Sequence, residues 1–189
     1  MMFERDDRLR LLSIARRALE ARVRREREPA PEGGGALDTR RGAFVSIHLR
    51  HALRGCLGRL EPDWTIARVV QHLGRAVAYS DPRFAPVQPD EVDDLSIEIS
   101  VLSPEREAAS TEEIEIGRHG LIVESNGRRG LLLPQVAREH CWDVETFLRH
   151  TCLKAALSPD AWRAGARILL FEAEVFGESR QESRPESIY

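Results

Sequence analysis

The 189-residue chain contains 28 basic and 31 acidic residues, a formal net charge of −3, and 42% hydrophobic residues. This apolar content is sufficient for a packed core in one domain. The balanced charge excludes a strongly basic nucleic-acid footprint, and no apolar run reaches membrane-spanning length, so neither a nucleic-acid nor a membrane partner is predicted.

The first third of the chain predicts a helix, a linker and a β-hairpin. Leucines at helical spacing predict an amphipathic helix over residues 8–27. Proline and glycine in residues 28–41 predict a linker. Apolar residues then alternate over 44–49, and a turn near 50–52 leads into 53–58 as the second strand.

The rest of the chain predicts a helix, a strand, a second hairpin and a further helix. Asp63 is the predicted N-cap of the helix that follows the first hairpin. Alternation of apolar and polar residues over 94–102 predicts a strand with one face in the core. Asn126-Gly127 predicts the two-residue turn of the second hairpin, and Asp143 predicts the cap of a later helix.

These elements predict an α+β fold with a mainly antiparallel sheet, barrel-like as one option, flanked by helices. Residues 54–57 resemble residues 129–132, which indicates two related hairpin-plus-helix halves, with chance resemblance as the alternative. A single domain is predicted over residues 1–178. Within it a smaller lobe is predicted over about 130–166, and the polar tail at 179–189 is predicted to be disordered.

The hexapeptide Leu-Arg-Gly-Cys-Leu-Gly at residues 53–58 contains the strongest candidate site. Alternation along a strand places Arg54 and Cys56 on one face, where a guanidinium favours the thiolate form. Cys56 is therefore the candidate nucleophile. Arg54 and Gly55 are candidate substrate-binding residues, because a glycine leaves the backbone open to a ligand. The alternatives are a Cys56 packed in the core and a β-bulge that turns one of the two side chains over.

Three side chains are candidate proton carriers for Cys56. His48 lies on the facing strand and His51 at the turn, where a solvated histidine is the alternative. Glu98 and Ser100 share one face of the following strand, so Glu98 is a candidate acid or base and Ser100 a candidate substrate-binding residue. An exposed strand face is the alternative for both.

Arg83 is the remaining candidate for substrate binding. Asp81 can hold the turn after the second predicted helix by bonding to the backbone, and that turn can aim Arg83 at an anionic group. A purely structural Asp–Arg pair is the alternative. Cys141 and Cys152 are predicted to be structural, and no motif predicts a metal or a cofactor. Three cysteines without a secretory signal predict reduced thiols and a cytoplasmic protein.

Four motifs in order resemble the AMMECR domain family, whose prokaryotic members are called AmmeMemoRadiSam system protein A. They are the hexapeptide at 53–58, Ser-Asp-Pro-Arg-Phe at 80–84, the strand at 95–102 and Gly-Leu-Leu-Leu-Pro-Gln-Val at 130–136. The resemblance covers about residues 9–178. It implies a fold and a site more firmly than an activity, because the family has no agreed reaction.

The resemblance also implies partners, because the family's name records a Memo-like protein and a radical S-adenosylmethionine protein. The chain is then one component of a modification or biosynthetic route. It is not the radical component itself, since it lacks a Cys-x-x-x-Cys-x-x-Cys cluster. One hypothesis is an enzyme that modifies a small molecule or a protein side chain through Cys56. The other is a non-catalytic binding or adaptor module that uses the same groove.

Overall fold

The computed structural model describes residues 2–178, which divide into two compact units. The first unit comprises residues 2–101 and 175–178, and the second comprises Leu102–Glu174. The second unit includes the 130–166 stretch expected to form a smaller lobe. The predicted tail at 179–189 lies outside the described residues. Within residues 2–178, no helix is both long and apolar enough to cross a membrane.

Four α-helices and seven β-strands are found in the described part of the chain. The helices are α1 (Arg5–Arg24), α2 (Ile66–Val77), α3 (Pro134–Glu139) and α4 (Val144–Lys154). The strands are β1 (Ala43–Leu49), β2 (Ala52–Arg59), β3 (Leu95–Leu102), β4 (Arg106–Glu107), β5 (His119–Ser125), β6 (Arg128–Leu132) and β7 (Arg167–Gly177). All the strand pairs described below are antiparallel, which confirms the predicted α+β class.

The first unit contains a sheet in the order β2-β1-β3, so β2 is an edge strand. Alternate residues of β1 and β3 are buried, and α1 and α2 contribute apolar side chains to the same core. Val45 and Ile47 on β1 face this core together with Ile97 and Ile99 on β3. The alternation over 94–102 therefore predicted the buried face correctly.

A β-bulge interrupts the β1–β2 pairing beside the hexapeptide. Ile47 pairs with Gly55 and His48 pairs with Leu53, so Arg54 has no partner residue on β1. A bulge adds one residue to one strand and re-aims the neighbouring side chains. The sequence leaves open a bulge at Gly55 or Gly58, whereas the structure has it at Arg54.

The helix boundaries differ slightly from those predicted. Helix α1 ends where Arg25 adopts a left-handed backbone with φ 59°. The linker that follows contains a short 3-10 helix, Gly35–Asp38. The N-cap of α2 is Thr65 rather than Asp63. The Thr65 side chain accepts a hydrogen bond from the Arg68 N–H, whereas the Asp63 carboxylate binds Arg59 at 2.7 Å.

The second unit contains a sheet in the order β6-β5-β7, with β4 also paired to β7. The β5–β6 turn is Asn126-Gly127, with both residues at positive φ as predicted. Asp143 caps α4 by accepting a hydrogen bond from the Thr146 N–H at 2.8 Å, also as predicted. Phe147 and Leu148 of α4 are buried in this unit's core.

In both hairpins a glycine packs against the end of a later helix, α2 for the first hairpin and α4 for the second. A Cβ on Gly55 would lie 3.1 Å from the Val77 carbonyl oxygen at the end of α2. A Cβ on Gly130 would lie only 2.2 Å from the Ala155 nitrogen at the end of α4. The two Arg-Gly-x-Leu stretches therefore share a packing role, although their common origin stays a prediction.

A hydrogen-bonded ion pair between Arg16 and Glu178 connects α1 to the residue that follows β7. The Arg16 guanidinium binds both carboxylate oxygens of Glu178 and donates to the carbonyls of Val92 (3.1 Å) and Leu95 (2.8 Å). The Glu178 carboxylate also accepts from the Ile97 N–H at 2.9 Å. These bonds join α1, β3 and the end of β7 within one unit.

Replacing Arg16 with methionine should destabilise this unit by about 2 kcal/mol, because charged hydrogen bonds are lost while their acceptors stay partly buried. Urea unfolding measures this free energy. The matched control is Arg17→Met, which removes the exposed pair between Arg17 and Glu32 and should cost under about 1 kcal/mol. Equal costs for the two variants would contradict the assigned role of Arg16.

Candidate functional site

Cys56, Ser46 and Glu98 form a row across the first unit's sheet, on the face opposite the core. Cys56 pairs with Ser46, and Ser46 pairs with Glu98. The Cys56 N–H and C=O point away from β1, so its pair with Ser46 has no backbone hydrogen bonds and a Cα separation of about 4.5 Å. The thiol, the hydroxyl and the carboxylate therefore lie on successive strands of one half-buried surface.

Asp81 connects the edge strand to the loop that follows α2. Its carboxylate accepts hydrogen bonds from the Cys56 N–H (2.9 Å) and the Arg83 N–H (3.1 Å). It also accepts two bonds from the Arg83 guanidinium, at 2.9 and 2.7 Å. The Arg83 guanidinium, more than any other group, holds the pKa of this buried carboxyl well below its usual range. Asp81 is therefore a permanent anion rather than a base.

Arg83 lies beside Cys56 and keeps spare hydrogen-bonding capacity. Its Nε and Nη2 bind Asp81, and Nη2 also donates to the Cys56 carbonyl at 3.4 Å. Asp81 is the main cause of a raised Arg83 pKa. The side chain is 58% exposed, and among residues 2–178 no acceptor binds Nη1.

Arg54 binds elsewhere, so the cation predicted to act on Cys56 is not the one that the structure brings to it. Its Nε and Nη2 bind the Glu91 carboxylate at 2.8 and 2.9 Å. Its Nη1 and Nη2 donate to the carbonyls of Ala85 and Pro86. This pairing raises the Arg54 pKa and lowers that of Glu91. Arg54 holds the loop before β3.

The two glycines of the hexapeptide differ in their surroundings. Gly55 is buried on the core face beside Val77, so its bare backbone serves packing. Gly58 is exposed, and a Cβ there would lie 2.2 Å from the Phe44 ring. Gly58 therefore lets the Phe44 ring lie across the edge strand, next to the row that contains Cys56.

The proton carriers considered from the sequence are not bonded to Cys56. Glu98 is half-buried two strands away, and Ser100 is buried on the same face of β3. His48 is half-buried on β1, while His51 is exposed in the turn with φ 72°. Among the residues from 2 to 178, no hydrogen bond joins any of these side chains to the thiol.

The structure adds residues that the sequence analysis missed or used only partly. Ser46 could have been found by following the alternation of β1 onto the Cys56 face. Glu91 could not, since nothing local links it to Arg54, which lies 37 residues away. Asp81 was recognised as a turn residue but not as the acceptor for the Cys56 N–H.

The three cysteines have different environments, and all are free thiols. Cys56 is half-buried, Cys141 is exposed and Cys152 is buried. Burial raises the pKa of the Cys152 thiol. Cys141 and Cys152 therefore provide an exposed and a buried reference within the same molecule.

Comparison with known proteins identifies the family. A model of the AMMECR1 family matches residues 12–176. The chain belongs to this family. Among AMMECR1 relatives, a Methanosarcina acetivorans protein is 40% identical over 181 residues, covering 90% of this chain and 91% of the relative. A Thermofilum pendens protein is 42% identical over 188 residues, covering 89% of this chain and 88% of the relative.

A solved structure supports the AMMECR1 assignment. The crystal structure of the uncharacterized protein PH0010 from Pyrococcus horikoshii is similar, with a TM-score of 0.81 and 37% identity. The similarity covers 89% of this chain and 90% of that one. None of these three proteins is named for an activity or a ligand, so AMMECR1 membership establishes a family and a fold rather than a reaction.

Replacing Asp81 with asparagine should destabilise the protein by about 2 kcal/mol at pH 7, because the folded state lowers the pKa of this carboxyl. The ionised carboxyl stabilises the fold at pH values above the unfolded-state pKa of about 3.9. This contribution is lost progressively as the pH falls below that value towards the lower folded-state pKa. The difference in unfolding free energy between wild type and Asp81→Asn, measured with urea, should therefore decrease from pH 5 towards pH 3.

The matched control is Asp63→Asn, which removes an exposed carboxylate that also binds an arginine at 2.7 Å. Its effect should be smaller, because exposed ion pairs are weak. If the difference in unfolding free energy between wild type and Asp81→Asn stayed constant from pH 7 to pH 3, this would contradict the stabilising role of the ionised carboxyl.

Proposed function

We propose that this AMMECR1-family protein is a thiol-dependent enzyme that modifies a small molecule or a protein side chain, with Cys56 as the nucleophile. The observation that carries the proposal is a half-exposed cysteine whose backbone carbonyl accepts a hydrogen bond from a guanidinium that Asp81 holds in place. A fixed cation favours the thiolate, which is the reactive form.

The proton chemistry would use the row on the same sheet face. Glu98 is the proposed acid or base, and Ser46 lies between it and Cys56. Adjacent strands are about 4.8 Å apart, so a glutamate two strands away reaches the thiol only through the serine or a water molecule. Ser100, on the same face, is proposed to contact the substrate.

We also propose that the protein works with a Memo-like protein and a radical S-adenosylmethionine protein, as the family resemblance implies. The proposal requires a reducing compartment such as the cytoplasm, because the mechanism uses a free thiol. No cofactor is assigned to this chain, and its substrate would be supplied or consumed by the partner enzymes.

In the native protein, Cys56 should react with iodoacetamide faster than both Cys141 and Cys152 at about pH 6.5. Cys56 is the proposed nucleophile and its backbone carbonyl is hydrogen-bonded to Arg83, whereas Cys141 is an exposed and Cys152 a buried reference. Peptide mass spectrometry of samples quenched over time measures the three rates together. A Cys56 that is labelled only after unfolding would contradict the proposal.

A second function, a non-catalytic binding module, is favoured by one observation. Within residues 2–178 no base is hydrogen-bonded to the Cys56 thiol. Under this alternative Cys56→Ala would bind the Memo-like partner as tightly as wild type and would retain the module's effect on that partner. Calorimetry with the purified partner, followed by an activity assay of the mixture, distinguishes the two functions.

A further inference from the structure

We propose that Arg83 selects substrates that present an oxyanion, such as a carboxylate, next to the carbon that the Cys56 sulfur attacks. This inference rests on the proposed thiol chemistry and identifies the substrate class for it. It is based on two observations. All three guanidinium nitrogens of Arg54 donate hydrogen bonds to other residues, and Nη1 of Arg83 has no acceptor among the described residues.

The hydrogen bonds of the two arginines show which one can bind a ligand. Each of the three Arg54 nitrogens donates to Glu91 or to a loop carbonyl, and the side chain is only 16% exposed. Arg83 uses Nε and Nη2, while Nη1 carries two N–H groups without an acceptor among the described residues. An incoming oxyanion can bind Nη1 without breaking an existing hydrogen bond of Arg83.

The position of Arg83 is fixed before a ligand arrives. The Asp81 carboxylate accepts hydrogen bonds from Nε and Nη2 of Arg83, and the Cys56 carbonyl accepts another from Nη2. Holding a flexible side chain in its binding geometry lowers the entropy cost of forming the complex. Asp81 is therefore a positioning residue for Arg83, and Arg83 is the group that contacts the substrate.

The second hairpin of the same chain provides an internal comparison. Gly130 repeats the packing role of Gly55, but Leu131 occupies the position of Cys56 in the repeat. Close glycine packing is therefore present without a thiol. The Cys56–Asp81–Arg83 arrangement is accordingly not a requirement of this hairpin-and-helix architecture.

A pair of alkylating reagents tests the selectivity directly. Iodoacetate and iodoacetamide react in the same way: the thiolate sulfur bonds to the methylene carbon, and iodide leaves with the electron pair. The reagents differ only in carrying a carboxylate or a neutral amide. The measured quantity is the ratio of the iodoacetate rate to the iodoacetamide rate, determined for Cys56 and for the exposed Cys141 of the same molecules.

We expect this ratio to be about tenfold higher at Cys56 than at Cys141, because a fixed positive charge attracts the anionic reagent. Arg83→Met should reduce the Cys56 ratio to the Cys141 value. The matched variant Arg59→Met, on the same strand as Cys56, should leave the ratio unchanged, since that guanidinium binds Asp63. Loss of selectivity in Arg59→Met alone would overturn the assignment to Arg83.

A measurement on the unmodified protein keeps the test decisive if Arg83→Met does not fold. Raising NaCl from about 0.05 to about 0.5 M should lower the wild-type ratio at Cys56, because salt screens the attraction. Equal, salt-independent ratios at Cys56 and Cys141 would overturn the oxyanion inference while leaving a reactive thiol intact. A Cys56 that reacts with neither reagent would instead overturn the proposed function itself.

Discussion

The Asp81 carboxylate is the contact on which the candidate site depends. It joins the backbone of the edge strand to the guanidinium of Arg83, and it is buried while it does so. A buried charge persists only when it is paired and hydrogen-bonded, and four hydrogen bonds meet that condition here. This one group therefore connects the loop, the Arg83 cation and β2.

A second ion pair fixes the same segment further along. Arg54 binds Glu91 and the carbonyls of Ala85 and Pro86, so the chain between α2 and β3 is tied to the hexapeptide at two places. The two arginines thus have separate roles: Arg54 binds the loop, and Arg83 stays partly exposed next to the Cys56 backbone. Conservative replacement by lysine would not preserve either arrangement, because both rely on a two-pronged contact.

Local patterns predicted the elements well and the site only in part. Alternation identified the buried face of β3, and residue chemistry identified the Asn126-Gly127 turn and the Asp143 cap, since each depends on neighbours within a few residues. The partners of Arg54 and the acceptor for the Cys56 N–H lie 25 to 37 residues away, so no periodicity encodes them. The bulge at Arg54 likewise arises from pairing with β1, which a single-strand pattern does not contain.

The way in which Asp81 and Arg83 bind Cys56 has a consequence for self-association. The edge strand β2 would otherwise offer the outward N–H and C=O of Cys56 to a strand from another molecule. Both groups are already occupied by side chains of one loop. Exposed strand edges are a common route to aggregation, and charged groups that cover them block it. The residues that bind the backbone of Cys56 thereby also cover part of the edge at which another chain could pair.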